Sequence, residues 1–294
     1  MAAFFAWGNV PNSFAVANGS LLDYQNMPAD YEGKFKMNEW NAMQLKALHT
    51  GPNGYHWAIK PNNQSLWSYF KLATTGSARG PRDMLPFLNA QTTYIGTDGL
   101  VHMGRGLATF VAFVPGGTAW FIRYNTNQCL WGPDLSAFPQ TFRALVNDLE
   151  KNHPRKDECI DFVAFGLHGL LLARFENGNS HMALPDDPVL RSRISPELIR
   201  EIEERLAAGW TLGNRTTLCE FDTNRWFLEW KRGTMAEFKY SMGNGEGTQQ
   251  DLQRVSRVLS GVGSDAALVA SHQNAQLMAA NASFAQALAL NRIL

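Results

Sequence analysis

The apolar and polar positions of this chain follow one pattern three times in its second half. Each copy has an apolar run, a turn bearing Gly or Asn, an aromatic-rich run, a second turn and a short final run, in the segments 111–131, 163–182 and 218–240. Their starts lie about 50 residues apart, which is the spacing of propellers and related repeat arrays. Short runs joined by turns are typical of antiparallel strands, so each copy predicts one small β unit.

Fainter copies precede these three. The segments 5–19 and 45–59 each combine short apolar runs with a Gly-containing turn, and 93–101 has the pattern of a separate hairpin. The sequence therefore predicts a mainly β or α+β fold of about five repeated antiparallel units, six if the hairpin is independent, in a ring- or propeller-like arrangement.

Helical patterns interrupt the later units. Residues 136–152 place apolar side chains at helical spacing. Ser195 followed by Pro196 has the form of an N-cap and a first helical position, and Gly209 suits the stop. A propeller blade is ordinarily all strand, so we expect these helices between the units, packed outside a ring of hairpins.

The C-terminal region predicts further helix. Thr248 with Asp251 three residues on resembles a capping box, and 264–294 is Ala-rich with few charges. We predict a repeated β-rich domain over 1–243 and a C-terminal helical segment over 248–294. That segment either packs on the domain or mediates self-association into a homo-oligomer, since small residues at a seam allow close approach.

Composition narrows the class of protein. The 294 residues carry 26 basic and 26 acidic side chains, so no nucleic-acid partner is expected. No apolar run approaches the roughly 20 residues of a membrane span, and the start lacks a signal-peptide pattern. We therefore expect a soluble, cytoplasmic protein without a membrane partner. Three Cys without a CxxC pair favour neither disulfides nor a zinc site, and neither metal nor cofactor is predicted.

Charged residues recur at one aligned position of the repeats. A gap-free alignment of the three copies places Arg123, Arg174 and Glu229 at equivalent points of the aromatic-rich run. In a ring of repeats, equivalent positions point to equivalent places, so these side chains would converge on an axial cavity and hold a carboxylate or phosphate. The alternative is a solvated strand face with ordinary cross-strand ion pairs.

Two carboxylates and one histidine are further candidates. Glu220 and Asp222 lie two apart in a predicted strand, hence on one face, which suits acid–base catalysis. The alternative for Asp222 is the start of an Asx-type hairpin turn. His168 lies at the turn of the second copy, within reach of His181 on the last strand of that unit.

Established catalytic motifs are absent from the sequence, which has no nucleophile elbow, Walker loop or dinucleotide-binding glycine pattern. The glycine-rich stretch 243–247 is expected to lack the strand–turn–helix context of a phosphate cradle. Nine Trp exceed what packing requires, and those on strand ends or turns are candidates to stack on a planar ligand or sugar.

No family signature is present closely enough to name a family, and two functional classes remain. One is an intracellular β-repeat protein that binds a small molecule, a glycan or a protein partner through an aromatic-rich site. The other is an enzyme of small-molecule metabolism with an Arg/carboxylate active site in a central cavity. The candidate residues are catalytic Glu220, Asp222 and Glu229 and ligand-binding Arg123, Arg174, Trp120, Trp226 and His168. A pocket enclosing the arginines beside a carboxylate of raised pKa favours the enzyme, and similar shallow sites on each unit favour the binder.

Overall fold

The computed structural model describes residues 3–8, 10–18, 21–27, 47–51, 56–62, 65–71, 108–154, 159–245 and 247–260, with the short positions 32, 35, 84, 94–95 and 101–102. In the strands 56–62 and 65–71 it describes the backbone and the Trp57 side chain. Predictions for the Ala-rich stretch 264–294 lie outside the described residues.

The strands form small antiparallel sheets, which we label A to F in chain order. Sheet A contains β1 (Ala3–Trp7), β2 (Phe14–Asn18) and β3 (Leu21–Gln25); sheet B contains β4 (Ala47–Thr50), β5 (His56–Asn62) and β6 (Ser65–Lys71); sheet C contains β7 (Tyr94–Ile95) and β8 (Val101–His102); sheet D contains β9 (Ala108–Phe113), β10 (Trp120–Tyr124) and β11 (Cys129–Gly132); sheet E contains β12 (Ile160–Phe165), β13 (Leu171–Phe175) and β14 (Ser180–Ala183); sheet F contains β15 (Thr211–Leu212), β16 (Thr217–Leu218), β17 (Arg225–Arg232) and β18 (Met235–Met242).

Helices lie between and after the later sheets. They are α1 (Gln140–Asn152), α2 (Pro188–Ser192), α3 (Pro196–Ala207) and α4 (Thr248–Leu259), with short 3-10 turns at Leu135–Ala137 and Leu167–Gly169. The fold is therefore mostly β, with several antiparallel sheets and few helices. Within the described part of the chain, no helix has the length and apolar character needed to cross a membrane.

Each of the three aligned sequence copies forms one sheet, and the aromatic-rich run is its middle strand. β10 pairs with β9 and β11, and β13 pairs with β12 and β14. In sheet F the short strands β15 and β16 both pair with β17, while β18 pairs with the whole of β17. The turns after the middle strands contain left-handed residues, Asn127, Gly178 and Gly233, which suits the tight hairpins that the sequence predicts.

One predicted helix start and one predicted cap differ from those observed. Ser195 caps α3 as predicted, because its hydroxyl accepts a hydrogen bond from the backbone of Leu198. α1 begins at Gln140 rather than at 136, since Asp134 caps a separate 3-10 turn first. The capping-box prediction at Thr248 was wrong: Gly247 is the N-cap and makes no side-chain cap bond.

α4 joins the last sheet to the first. It packs against β2, β3 and β18. Arg254 Nε donates to Asp23 Oδ2 at 2.9 Å, and Asp251 Oδ2 lies 3.8 Å from Arg225 Nη2. The division of the chain into a β-rich domain over 1–243 and a helical segment over 248–294 stays a prediction. The role of that segment in self-association also stays a prediction.

In sheet F the short strand β15 comes earlier in the chain, and we count β16 as the first strand because the third aligned copy starts there. The first strands of five sheets, counted in this way, contact one another in sequence, and the last returns to the first. The contacts are β1 with β4, β4 with β9, β9 with β12, β12 with β16, and β16 with β1. Apolar clusters fill the junctions. Leu48 packs into the cluster of sheet A, Trp57 and Trp120 share a cluster, and Phe5 stacks on Phe227 with ring centroids 4.5 Å apart. The largest cluster spans sheets D, E and F.

Candidate functional site

A small cavity lies where the first strands of these five sheets meet. Its wall comes from the carboxyl ends of those strands and the residues after them, among them Trp7, His49, Thr50, Phe110, Phe113, Phe165, Thr217 and Glu220. Its volume is about 60 Å³. Pockets for metabolites typically have about 300–1,000 Å³. This cavity has room for a few water molecules or for the end of one side chain.

Glu220 brings an unbalanced charge to the cavity wall. It is partly buried in the loop after β16 and accepts a hydrogen bond from the backbone N–H of Gly116. Burial raises the pKa of Glu220 from 4.5 to about 7, because the charged form loses its hydration, and the bond from Gly116 offsets part of that effect. No ion pair between described residues includes Glu220.

The other titratable group in the described wall is His49. Its ring lies 5.4 Å from Trp57 and 4.9 Å from Phe110, measured between centroids. Burial lowers the pKa of His49 from 6.5 to about 4, so the imidazole is neutral at pH 7. The described wall therefore has no positive charge at neutral pH to balance Glu220.

The turns that follow the first strands lie at the same end of the molecule as the cavity. We call the residues 8, 10–13, 114–119, 166–170 and 219–224 the turn face. Outside the last turn, its described residues include one titratable side chain, His168. Two large apolar side chains are well exposed here, Val10 at 43% and Phe221 at 41%. The turn face is thus nearly uncharged around Glu220.

Arg123 and Arg174 meet at one carboxylate, outside the described cavity wall. Arg123 Nη1 donates to the carbonyl of Ile160 at 3.0 Å, and its Nε lies 3.7 Å from Asp161 Oδ1. Arg174 Nε donates to the other oxygen of Asp161 at 2.8 Å, and its Nη1 donates to the carbonyl of Leu212. Arg123 therefore reaches from the middle strand of sheet D to β12 of sheet E, whereas Arg174 binds β12 within its own sheet and β15 of sheet F.

Glu229, at the equivalent position of sheet F, is 2% exposed. It accepts a hydrogen bond from the backbone N–H of Arg215 at 2.9 Å, with the Arg215 guanidinium at 3.5 Å and Lys231 Nζ at 3.8 Å. Its side chain lies so close to Gly213 that a Cβ there would overlap it. The solvated-face alternative is wrong for Arg123 and Glu229, which are buried. The catalytic and ligand-binding roles of the aligned residues stay predictions.

The predicted carboxylate pair does not share a strand face. β16 ends at Leu218, so Glu220 and Asp222 lie in an irregular loop, and the strand geometry inferred for them was wrong. Asp222 Oδ1 accepts a hydrogen bond from the backbone N–H of Asn224 at 2.8 Å, which is the Asx-turn alternative. The two residues therefore differ in their surroundings: the Asp222 carboxylate stabilises the turn, and Glu220 lines the cavity.

The stretch 243–247 connects β18 to α4, so the expectation that it lacks a strand–turn–helix context was wrong. Its surroundings nevertheless disfavour an anion. The carboxylate of Asp222 lies against Gly243, and Asp251 is buried in the first turns of α4.

The two candidate tryptophans lie in apolar clusters. Trp120 is 1% exposed and its ring covers Gly132, and Trp226 is 4% exposed in the cluster of sheets D to F. His168 is on the turn face, partly exposed, with a left-handed backbone (φ 58°). Ligand binding by these three residues stays a prediction.

A second recess lies between α1 and sheet E. Its volume is about 470 Å³, which suits a small molecule, and Phe175 and Leu184 form part of its wall. Its carboxylates are exposed and already hydrogen-bonded: Asp186 accepts from the Gln140 amide at 2.9 Å and Asp148 from the Asn152 amide at 2.8 Å. Water therefore reaches these carboxylates, whereas Glu220 is partly buried.

Metal and thiol chemistry find little support in the described residues. No three His, Cys, Asp or Glu side chains among them are grouped to hold a metal ion. Cys129, Cys159 and Cys219 are buried. Burial raises the pKa of Cys219, which disfavours a reactive thiolate there.

Sequence reasoning missed His49 and Gly116. His49 was one of several scattered histidines, and the turn that holds Gly116 was treated only as a connection. The signal that identifies both is position: they lie at, or just after, the carboxyl end of a first strand, as Glu220 does. Aligning the first strands, in addition to the aromatic-rich runs, would have placed these residues together.

No protein-family model matches the chain, and no curated protein matches its sequence. A similar solved structure is the crystal structure of the β-propeller domain of Cps50 (Swd1) from Myceliophteria thermophila. It is 9% identical, the match covers 80% of this chain and 81% of that chain, and the TM-score is 0.28. At that TM-score nothing about fold or function is carried over from it.

Proposed function

We propose that this chain is a binding protein whose sheets close into a propeller-like ring and whose turn face docks a protein partner around the mouth of the central cavity. The ring is supported by the order of first-strand contacts, which runs from sheet A through B, D, E and F and returns to A. The apolar clusters at successive junctions support the same closure.

Glu220 is the observation that carries the proposal. An ionised carboxylate without a counter-charge is costly in a partly buried site, and perturbed pKa values of this kind concentrate at functional sites. A partner that supplies the missing charge would remove that cost.

The cavity size argues for a partner rather than a metabolite or sugar. With about 60 Å³ available, most of any ligand has to lie outside the cavity, on the turn face. Val10 and Phe221 offer apolar contacts there, and the nearly uncharged turns are inexpensive to desolvate. A protein segment meets these conditions better than a small molecule or a glycan.

An enzyme is the second candidate, and one observation favours it. A carboxylate with a pKa of about 7 is well matched to general acid–base catalysis at neutral pH. Arg123 and Arg174 lie outside the described wall of that cavity, which weakens the predicted Arg/carboxylate active site.

Cytoplasmic location and self-association are proposed on the sequence alone.

A displayed library of random peptides, selected on the intact chain, tests the proposal. We expect enriched peptides to bind the wild type and to lose at least about ten-fold in affinity on Phe221→Asp or Val10→Asp, since a charge would enter the contact surface. Val189→Asp, at an apolar side chain elsewhere that is still more exposed (57%), is the control and should bind normally. Peptides that bind all variants alike, or no enrichment at all, would contradict the proposal.

A further inference from the structure

We propose that the group which enters the central cavity is the ammonium of a lysine side chain from the docked partner, with Glu220 as its counter-ion. This inference rests on the proposed function and names the chemistry that the same site recognises. Three properties of the cavity carry it: its charge, its wall and its size.

Charge selects a cation. Glu220 is the single carboxylate of the described wall, and no described cation pairs with it. Its remaining polar contact is the N–H of Gly116. A cation placed beside it would regain Coulomb energy in a medium of lower effective dielectric than water. An anion would meet repulsion instead, so the site discriminates by sign.

The wall suits an ammonium. Phe110, Phe113 and Phe165 line the cavity, and the faces of aromatic rings attract cations. The Trp7 ring, also in the wall, already has the Arg225 guanidinium over it, 5.1 Å from the ring centroid. His49 is neutral at pH 7 and therefore does not repel the cation. The stem of a lysine is apolar and packs against such rings while its charged end reaches the carboxylate.

Size separates lysine from its alternatives. Lysine carries a compact charge on an unbranched stem, whereas arginine presents a broad planar guanidinium. A cavity of about 60 Å³ accepts the former more readily. A protein amino terminus would bring its backbone into the same space, so a side chain is the better fit. The partner is thus expected to present an exposed lysine flanked by apolar residues that contact Phe221 and Val10.

Glu220 has few charged neighbours, so a change of binding with pH can be assigned to it. β4 contributes His49 to the described wall, and the lining residues from sheets A, D and E are not titratable. Outside the wall, Arg225 of β17 lies over the Trp7 ring and is bonded to Asn12, and it does not pair with Glu220. On its own loop, Asp222 is bonded to the Asn224 backbone, and Cys219 is a buried thiol. Loss of binding on acidification would therefore report Glu220, since His49 gains charge only near pH 4.

The test uses N-acetyl-lysine methylamide as the probe, with its norleucine and arginine analogues, followed by NMR at the backbone amides of Gly116 and Glu220. We expect saturable shifts with the lysine probe at pH 8. The apparent affinity should fall at least about ten-fold at pH 5.5, where the carboxyl is protonated, and with either analogue. Glu220→Gln should abolish the shifts, whereas Glu176→Gln, an exposed carboxylate elsewhere, should keep them.

Each alternative outcome has a defined meaning. Equal binding of the norleucine analogue, or shifts that persist in Glu220→Gln, overturns the lysine inference. Preference for the arginine analogue overturns the size argument and assigns a guanidinium. If selected peptides depend on Phe221 yet the lysine probe causes no shift, the inference fails while the proposed docking face stands. If neither depends on these residues, both fail.

Discussion

Glu220 and Glu229 lie in or beside the same sheet and both are withdrawn from water, yet their surroundings are opposite. Glu229 accepts a hydrogen bond from the Arg215 backbone and lies near two cations, 3.5 and 3.8 Å away. Glu220 has one backbone N–H and no described cation. A paired buried charge holds the fold together, whereas an unpaired one is a cost that binding can remove.

The position of a residue within the repeat accounts for the difference. Middle-strand side chains connect neighbouring sheets. Arg123 binds the Ile160 carbonyl on β12 of sheet E, and Arg174 binds Asp161 of its own sheet and the Leu212 carbonyl on β15 of sheet F. Positions after the first strands face the central cavity, where Glu220 lies. Five substitutions test this contrast.

The largest effect is expected from Arg174→Met. The change removes the hydrogen bonds of Arg174 to the Asp161 carboxylate and to the Leu212 carbonyl, and Arg123 remains near Asp161 at 3.7 Å, so the free energy of unfolding should fall by about 3 kcal/mol. Urea denaturation measures the change, and Arg200→Met, on the exposed face of α3, is the control. A loss equal to that of the control would mean that the inter-sheet arginines do not stabilise the fold. Lysine-probe binding should be unaffected.

The same substitution at the two glutamates should have opposite signs at pH 8. Glu229→Gln should lower the free energy of unfolding by about 2 kcal/mol, because the ion pairs are lost. Glu220→Gln should raise it by about 2 kcal/mol. The folded-state pKa of Glu220, about 7, lies above its ordinary 4.5, so the wild type loses stability as pH rises between these values.

The increase in the free energy of unfolding that Glu220→Gln brings at pH 8 should disappear near pH 4.5, because Glu220 is protonated there in the folded protein. Paired urea titrations of wild type and Glu220→Gln at several pH values measure it. A constant difference across pH, or a loss of stability at pH 8, would show that the carboxylate is solvated or paired in solution.

A smaller effect is expected from His49→Gln. The folded-state pKa of His49, about 4, lies below its ordinary 6.5, so the folded protein favours the neutral imidazole. Stability from this group is present above pH 6.5 and is lost as the unfolded chain takes up a proton. Between pH 6.5 and 5 the wild type should lose about 1 kcal/mol through this group, and the variant should not. Urea denaturation measures this loss of stability, and using the Glu220→Gln variant as the reference protein removes the opposing effect of Glu220.

The smallest effect is expected at an exposed ion pair. Arg205 Nη1 and Nη2 each donate to Glu237 at 2.8 Å, in a bidentate arrangement on the surface. Arg205→Met should lower the thermal midpoint only slightly, corresponding to about 0.5–1 kcal/mol, because solvent screens the pair. A loss as large as that of Arg174→Met would remove the distinction between buried and exposed partners.

The repeat pattern predicted the sheets better than the site. The aromatic-rich runs became middle strands because alternating large apolar residues bury both faces between neighbouring sheets. Ser195 predicted its helix because capping is local chemistry. These features depend on residues adjacent in sequence, which is why one chain without relatives reveals them.

The candidate site was only partly accessible to such reasoning. The sequence pattern predicted Glu220 to be one of two carboxylates on a strand. In the loop after Leu218, however, the Asp222 side chain bonds to the backbone of Asn224, and the Glu220 side chain lines the cavity. Gly116 comes from another sheet, and no local pattern connects it with Glu220. The aligned arginines were identified correctly as equivalent, and their partner Asp161 was not visible from spacing alone.

The pH titration of the Glu220 side-chain carboxyl carbon by NMR tests the central claim most directly. The account predicts a midpoint near pH 7 in the free protein, and a lower midpoint when N-acetyl-lysine methylamide is bound, because an adjacent cation favours the ionised form. A midpoint near 4.5 that does not change with the probe would contradict it, since Glu220 would then be an ordinary solvated carboxylate.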